Sequence, residues 1–161
     1  MSGARWNAGS VDETGMRSLA ARLAEAARTG GVIHLEGDLG AGKTTFARAL
    51  LTSLGVGERV KSPTYSLVET YRVGNLDAHH LDLYRIADAG ELEWLGLGDL
   101  WADSALVLIE WPERARGALP GADLVLHLRH AGDRREVIAE AFSARGEGLL
   151  AAMHAEGEPS A

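Results

Sequence analysis

The stretch GDLGAGKT, residues 37–44, decides the fold of this chain. It fits the pattern G-x-x-x-x-G-K-[ST], in which the backbone N–H groups of a glycine-rich loop surround phosphate oxygens. The apolar run at 32–35 predicts a buried strand before it, and apolar residues at helical spacing over 44–54 predict a helix after it. Strand, loop and helix in this order indicate a nucleotide-binding α/β domain.

Each part of this loop has an expected role in nucleotide binding. Its glycines allow the backbone to curl around an anion, and the positive end of the following helix adds to the attraction. Lys43 is expected to reach the β- and γ-phosphates, Thr44 to bind Mg²⁺ through its hydroxyl, and Thr45 to contact the α-phosphate region. The predicted nucleotide-binding residues of the loop are Asp38, Leu39, Gly40, Ala41, Gly42, Lys43, Thr44 and Thr45.

Composition narrows the class of protein. The chain has 161 residues, of which 46% are apolar and 24% are charged, enough for one globular domain with a core. Its formal charge of −7 disfavours direct, tight binding of nucleic acid, and the lack of cysteine excludes disulfides and thiolate chemistry. The apolar runs are too short for a membrane span and the first ten residues lack a secretory signal, so we expect a cytoplasmic protein.

Hydrophobic periodicity predicts the elements around the loop. The first helix is expected over 14–27, with Asp12 or Thr14 as its N-cap. Alternation at 123–129 and 135–141, around a turn at 130–133, predicts an antiparallel hairpin. The remaining expected elements are strands at 65–71, 78–84 and 105–109 and short helical turns at 91–101.

The predicted fold is therefore α/β. We expect a three-layer domain like those of P-loop NTPases, with a mixed central sheet and a C-terminal antiparallel β-hairpin. This single domain is expected over residues 11–145. A flexible N-terminus is predicted over 1–10, and a flexible or weakly helical tail over 146–161.

Two acidic residues near predicted strand ends are candidates for holding Mg²⁺. Glu110 follows the continuously apolar run 105–109, and Asp82 lies within HLDLYR at 80–85. A buried strand places its terminal carboxylate beside the phosphate loop in open α/β sheets, which favours Glu110. From the residues alone, an ordinary strand-end acid is the other interpretation of each.

Two segments allow both a structural and a functional interpretation. The polar segment KSPTY at 61–65 has hydroxyls that would suit a γ-phosphate sensor, but the residues alone favour a plain turn into a strand. Trp111 fits the core slightly better than a partner-binding surface.

His79 and His80 are not expected to bind one metal ion, because neighbouring residues on a strand point to opposite faces. His80 is expected to pack or to form a hydrogen bond on the same face of the strand as Asp82.

The residues considered so far do not decide which base the nucleotide carries or which reaction the protein catalyses. No N-K-x-D signature of guanine recognition occurs, so adenine is the expected base. A small-molecule kinase is the alternative to an ATPase, although no clear arginine-bearing lid is visible.

Five segments in this order closely resemble one family, the bacterial tRNA threonylcarbamoyladenosine biosynthesis ATPases called TsaE or YjeE. They are LEGDLGAGKTT at 35–45, VKSPTYSLVETY at 60–71, HLDLYR at 80–85, ELEWLGL at 91–97 and IEWPE at 109–113. The resemblance spans residues 11–141 and is far more specific than the phosphate-loop pattern alone.

The resemblance implies an accessory ATPase that binds ATP or ADP with Mg²⁺. Its turnover would support threonylcarbamoyl modification of adenosine 37 in tRNAs that read codons starting with A. The transfer itself would belong to a partner heterodimer of TsaB and TsaD, and tRNA would be met mainly through that complex. The isolated chain would be monomeric, with no membrane association.

The resemblance also assigns roles to individual residues. The residues that match the family's catalytic positions are Lys43, Asp82 and Glu110, and those linked to the metal are Thr44, Asp82 and Glu110. The switch-like loop of the family matches Ser62, Pro63 and Thr64. Its nucleotide-side arginine matches Arg135, and its adenine-side segment matches 11–14, which includes Thr14.

The motif set contains no obvious arginine finger, so we expect slow hydrolysis by the chain alone and a site completed against the partner. Arg85 or a partner group would complete it, and Arg85 and Trp111 are the candidate partner contacts. Three classes stay open: a partner-dependent ATPase, a small-molecule kinase and a nucleotide sensor without turnover.

Overall fold

The computed structural model of the protein describes residues 4–56, 67–86, 90–91, 102 and 104–155. A 3-10 turn at Pro112–Ala115 follows the fifth strand of this part of the chain. In chain order the helices and strands are β1 (Arg5–Val11), α1 (Glu13–Ala27), β2 (Gly31–Glu36), α2 (Lys43–Leu54), β3 (Val68–Val73), β4 (Leu76–Asp82), β5 (Leu106–Glu110), β6 (Leu124–Ala131), β7 (Arg134–Ala141) and α3 (Ala144–Ala155).

The described strands form one mixed sheet in the order β1-β7-β6-β2-β5-β4-β3. The central strand β2 pairs in parallel with β5 and β6, and β5 pairs in parallel with β4. β1 and β6 pair antiparallel with β7, and β3 with β4. This confirms the predicted α/β class. The loop after β2 opens at the carboxyl edge of parallel strands, where open α/β sheets bind ligands.

The two faces of the sheet carry separate apolar cores. On one face, α1, α2 and α3 bury side chains such as Leu23, Phe46 and Met153. On the other, Val107 and Ile109 pack near the 3-10 turn. All five residues of β5 are buried, and the strand is apolar without interruption up to its final residue, Glu110. Such a run is expected of a strand that is covered on both faces of the sheet.

Capping groups fix both helices that border the phosphate loop. Asp12 caps α1, because its Oδ1 accepts a hydrogen bond of 2.8 Å from the backbone N–H of Gly15. Gly55 ends α2 in the left-handed conformation, with φ of 114°. Both helices therefore lie close to the ranges predicted from periodicity.

Several predicted strand boundaries shift by one or two residues, and two of the shifts have a clear local cause. β4 ends at Asp82 rather than 84, because the Asp82 carboxylate accepts a hydrogen bond of 3.1 Å from the backbone N–H of Tyr84 and turns the chain. The hairpin turn is shorter than 130–133, since Ala131 already pairs with Arg134. Residues 65–66 of the strand predicted over 65–71, and residues 92–101 of the predicted helical turns, lie outside the described residues.

The prediction of a flexible N-terminus over 1–10 is wrong for residues 5–10. They belong to β1, which pairs along its length with β7 and shifts register between Asn7 and Gly9. The Trp6 ring lies 4.9 Å from that of His154, centroid to centroid. The bulge breaks the alternation that would have marked a strand, so only the pairing with β7 shows it.

The tail is also more ordered than predicted, because residues 146–155 belong to the packed helix α3. Leu149, Leu150 and Met153 are buried against the helix-side core. The guanidinium of Arg22 on α1 donates a hydrogen bond of 3.0 Å to the backbone carbonyl of Met153. The many alanines and glycines around these residues weaken the apolar pattern, so packing against α1 decides the helix.

Two glycines of α3 provide a test of this packing. A Cβ on Gly146 would lie 1.7 Å from the backbone oxygen of Asp123, whereas a Cβ on Gly148 would meet nothing within 4 Å. We expect G146A to lower the free energy of unfolding by about 1–3 kcal/mol through overpacking. G148A should raise it by about 0.5–1 kcal/mol, because alanine favours a helix. Urea unfolding measures both; equal values for the two variants would contradict a packed α3.

Candidate functional site

A cleft of about 700 Å³ opens beside the phosphate loop at the carboxyl edge of the sheet. It brings together residues from both sides of the loop, from the ends of β4 and β5 and from the start of α1. The residues that line it are Val11, Asp12, Glu13, Met16, Leu39, Gly40, Gly42, Lys43, Thr44, Thr45, Leu67, Asp82, Tyr84, Arg85, Glu110, Trp111, Asp133 and Arg135.

Close backbone packing explains two glycines of the loop. A Cβ on Gly37 would lie 2.3 Å from the backbone oxygen of Leu128, so the chain leaves β2 directly against β6. Gly42 precedes α2 with φ of 105°, and a Cβ there would lie 2.8 Å from the Met16 side chain. Glycine at these two positions lets the loop turn tightly and start α2 at the cleft.

The Lys43 ammonium is held inside the loop. Its Nζ donates hydrogen bonds to the backbone oxygens of Gly37 at 2.5 Å and Asp38 at 2.9 Å, and lies 4.0 Å from the centroid of the Trp111 ring. Burial lowers the pKa of Lys43, while the carboxylates around it, Glu110 foremost, act in the opposite direction. The two carbonyls and the ring hold this cation in the wall of the cleft.

Thr44, Glu110 and His80 form a chain of hydrogen bonds across three elements. The Thr44 hydroxyl donates to Oε1 of Glu110 at 2.8 Å. Oε2 of the same carboxylate lies 2.6 Å from Nε2 of His80. Glu110 is 2% exposed and His80 is completely buried. The first residues of α2 are thereby tied to β4 and β5, the two neighbouring strands that end in acids.

Asp82 is the neighbour of Glu110 across the β4–β5 pair. Burial raises the pKa of Asp82, and the nearby Glu110 carboxylate acts in the same direction. A threonine hydroxyl and carboxylate oxygens are ligands that suit Mg²⁺, which takes few protein ligands beside phosphate oxygens and water. Among the described residues no group of three or more His, Asp or Glu could hold a metal ion, so such a site would depend on Thr44 and a bound phosphate.

His79 faces away from this site, as the strand geometry predicts. Its Nδ1 lies 2.9 Å from the Thr70 hydroxyl, whereas the neighbouring His80 contacts Glu110. Burial lowers the pKa of His79. The two histidines therefore do not converge.

An aromatic and cationic cluster forms one wall of the cleft. Trp111 has φ of 60°, a left-handed conformation that is uncommon outside glycine. Its ring lies 4.9 Å from that of Tyr84, and the Arg114 guanidinium lies 5.2 Å from the Tyr84 ring. Trp111 packs on the second core, as its core interpretation expected, and it also lines the cleft; its contact with a partner stays a prediction. Tyr84 was missed because it lies just beyond the acid of β4.

Residues at the start of α1 line the cleft, but Thr14 is not one of them. Val11, Asp12, Glu13 and Met16 line it, whereas Thr14 is exposed and does not. Glu13 and Met16 are three residues apart on one helix face, and Thr14 is turned away from that face. The predicted nucleotide contact of Thr14 stays a prediction, whereas Val11 of the same predicted segment lines the cleft. Met16 was missed because it belongs to the apolar stripe of α1 and is typical of a core residue.

The other predicted site residues fall into three groups. Arg85 and Arg135 line the cleft, and the Arg135 guanidinium donates to the backbone oxygen of Gly40 at 3.2 Å. Asp38 and Ala41 belong to the loop without lining the cleft; their backbones share a hydrogen bond of 3.0 Å. The predicted switch-like residues Ser62, Pro63 and Thr64 lie outside the described residues.

A family model agrees with this arrangement of loop and acids. The model of the threonylcarbamoyl adenosine biosynthesis protein TsaE matches residues 10–137. The chain belongs to the TsaE family. The match covers the phosphate loop, both acids and the start of the last strand.

Similar proteins extend the TsaE relationship over nearly the whole chain. A TsaE of Haemophilus influenzae is 41% identical over 122 residues, 76% of this chain and 77% of the relative. A TsaE of Bacillus subtilis is 37% identical over 146 residues, 90% of each chain. The crystal structure of Bacillus subtilis YdiB superposes with a TM-score of 0.74 at 30% identity and covers 95% of both chains. The fold is that of a P-loop NTPase.

Within the described residues, the helices are too short or too polar to cross a membrane.

The half-buried carboxylate of Asp82 predicts a gain of stability when its charge is removed. Because burial raises its pKa above the ordinary 3.8, the ionised form is disfavoured in the folded state at neutral pH. D82N keeps the oxygen that accepts from the Tyr84 N–H and removes the charge. We expect D82N to unfold at higher urea than wild type at pH 7, with the difference shrinking as the pH falls to 4. A less stable D82N at pH 7 would contradict this assignment.

Proposed function

We propose that this chain is a Mg²⁺-dependent ATP-binding protein and a slow, partner-assisted ATPase. Its turnover supports threonylcarbamoyl modification of adenosine 37 in tRNAs that read codons starting with A. The observation that carries the proposal is the hydrogen bond from Thr44 to Glu110, two residues that line the same cleft as Lys43. Membership of the TsaE family supports the tRNA modification.

The cleft offers a place for each part of the nucleotide. Lys43 exchanges the Gly37 and Asp38 carbonyls for the β- and γ-phosphates, and the Trp111 ring stays beside them. Arg135 and the start of α1, with Val11 and Met16, lie further along the same cleft and take the ribose and adenine. An ammonium already desolvated in the loop gives up little water when it meets phosphate.

The acids and Thr44 supply the metal site. Thr44, Glu110 and Asp82 would hold Mg²⁺, which when bound neutralises phosphate charge and polarises the γ-phosphoryl group. Glu110 keeps Thr44 oriented through the 2.8 Å hydrogen bond. Asp82, at the carboxyl edge next to Glu110, orients the attacking water. Lys43 stabilises the charge that develops on the transferred group.

The partner completes the catalytic site, because the motif set of the chain contains no obvious arginine finger. Arg85 and Trp111 line the cleft and are the residues through which a docked protein would reach the bound phosphates. With a net charge of −7 the chain is a poor direct ligand for tRNA, so contact through a TsaB–TsaD heterodimer suits its electrostatics.

Phosphate release tests this function. Purified protein with ATP and Mg²⁺ should release phosphate slowly, faster with TsaB and TsaD, and the mixture should continue to modify tRNA. K43A and E110A should each lose about 10²-fold to 10³-fold of the stimulated rate, because each removes a group that stabilises transition-state charge or its metal. R48A, which removes an exposed cation of α2 outside the cleft, is the matched control and should behave as wild type.

Three outcomes would contradict the proposal. Turnover of ~10 s⁻¹ by the chain alone, an ordinary enzyme rate, would remove the need for a partner-completed site. A phosphorylated small molecule as product would indicate a kinase. No phosphate release with or without partners, together with tRNA modification that K43A leaves intact, would indicate another role altogether.

A further inference from the structure

Resting on the function proposed above, we infer that His80 is a positioning residue for the metal site. It fixes the orientation of the Glu110 carboxylate and thereby sets the affinity of the nucleotide-bound protein for Mg²⁺. His80 contacts neither the nucleotide nor the metal; it acts through Glu110.

Burial and distance carry this inference. His80 is completely buried on β4, and its Nε2 lies 2.6 Å from Oε2 of Glu110, one of the shortest side-chain hydrogen bonds in the described part of the chain. An ionised carboxylate only accepts hydrogen bonds, so Nε2 carries the proton and donates it. A hydrogen bond to a charged acceptor in a site shielded from water is strong and directional.

The two oxygens of Glu110 are thereby given separate tasks. Oε2 is turned into the protein toward His80, and Oε1 is turned toward the hydroxyl of Thr44. Asp82 lies opposite Glu110 in the parallel β4–β5 pair, and His80 lies opposite Leu108. His80 is therefore further into the sheet than the two carboxylates. Without the His80 donor, the carboxylate is free to rotate and Oε1 no longer holds the Thr44 lone pairs toward the cleft.

The histidine is not itself a metal ligand. Its Nε2 is occupied by Glu110, and its Nδ1 is buried with no hydrogen-bond partner among the described residues. Histidine and carboxylate partners of this kind orient metal-binding groups in many proteins, and their loss costs about 10-fold to 100-fold in metal affinity. A purely structural role, in which His80 only stabilises the buried Glu110, predicts no such change.

A matched set of variants separates these roles. His80→Gln keeps an amide donor near the position of Nε2, whereas His80→Met has nearly the same shape as glutamine without the donor. His79→Met makes the same replacement on the opposite face of β4, where the side chain contacts Thr70 instead. His80→Asn carries an amide too short to reach Glu110 and replaces the methionine variant should that variant fail to fold in a urea control.

The measurement is the binding of ADP by calorimetry, first in EDTA and then over a series of Mg²⁺ concentrations. For His80→Met or His80→Asn, the Mg²⁺ concentration that gives half of the tightening should rise about 10-fold to 100-fold, with ADP affinity in EDTA unchanged. His80→Gln should recover most of the loss, and His79→Met should match wild type.

Three results would overturn the inference. Folded His80→Met with the Mg²⁺ dependence of wild type would leave His80 a structural role alone, and so would His80→Gln no better than His80→Met. Wild-type protein that binds no ADP would instead overturn the proposed function, and the positioning role with it. The two failures are therefore distinguished by the wild-type titration.

Discussion

The hydrogen bond between Thr44 and Glu110 joins the two halves of the candidate site. It links the first turn of α2, immediately after the phosphate loop, to the end of the strand buried at the centre of the sheet. The second oxygen of Glu110 extends the link to β4 through His80. Three elements that are far apart in the chain therefore meet at one carboxylate, and the parallel pairing of β2, β4 and β5 is what brings them there.

The site concentrates charge in a place where solvation is poor. The Lys43 ammonium is 4% exposed and is surrounded by backbone carbonyls and an aromatic ring. The pKa of Lys43 is lowered and that of Asp82 is raised, in each case chiefly by burial. A folded protein keeps such unfavourable charges where a ligand of opposite charge relieves them. A polyphosphate would neutralise the Lys43 ammonium, and a divalent cation would neutralise the Asp82 carboxylate.

Local signals predicted the phosphate loop, α1, α2 and β5, because glycines, caps and apolar runs specify them within a few residues. The strand β1 and the helix α3 could not be predicted in this way. β1 has a bulge at Gly9 and exists through its pairing with β7, and the apolar stripe of α3 is short and is decided by contact with α1. At the site, Lys43, Glu110 and Asp82 follow from the sequence pattern, whereas Thr14 does not line the cleft and Met16 does. Which side of α1 faces a cleft is set by tertiary packing, which periodicity alone does not distinguish from core.

A crystal structure with Mg²⁺ and a non-hydrolysable ATP analogue would test the proposed nucleotide site directly. We expect Nζ of Lys43 to leave the backbone oxygens of Gly37 and Asp38 for the β- and γ-phosphates. We also expect the Thr44 hydroxyl to lie on the metal with Glu110 and Asp82 beside it, and the base to lie near the start of α1. A nucleotide bound elsewhere, with Lys43 still held by the two carbonyls, would refute this nucleotide site.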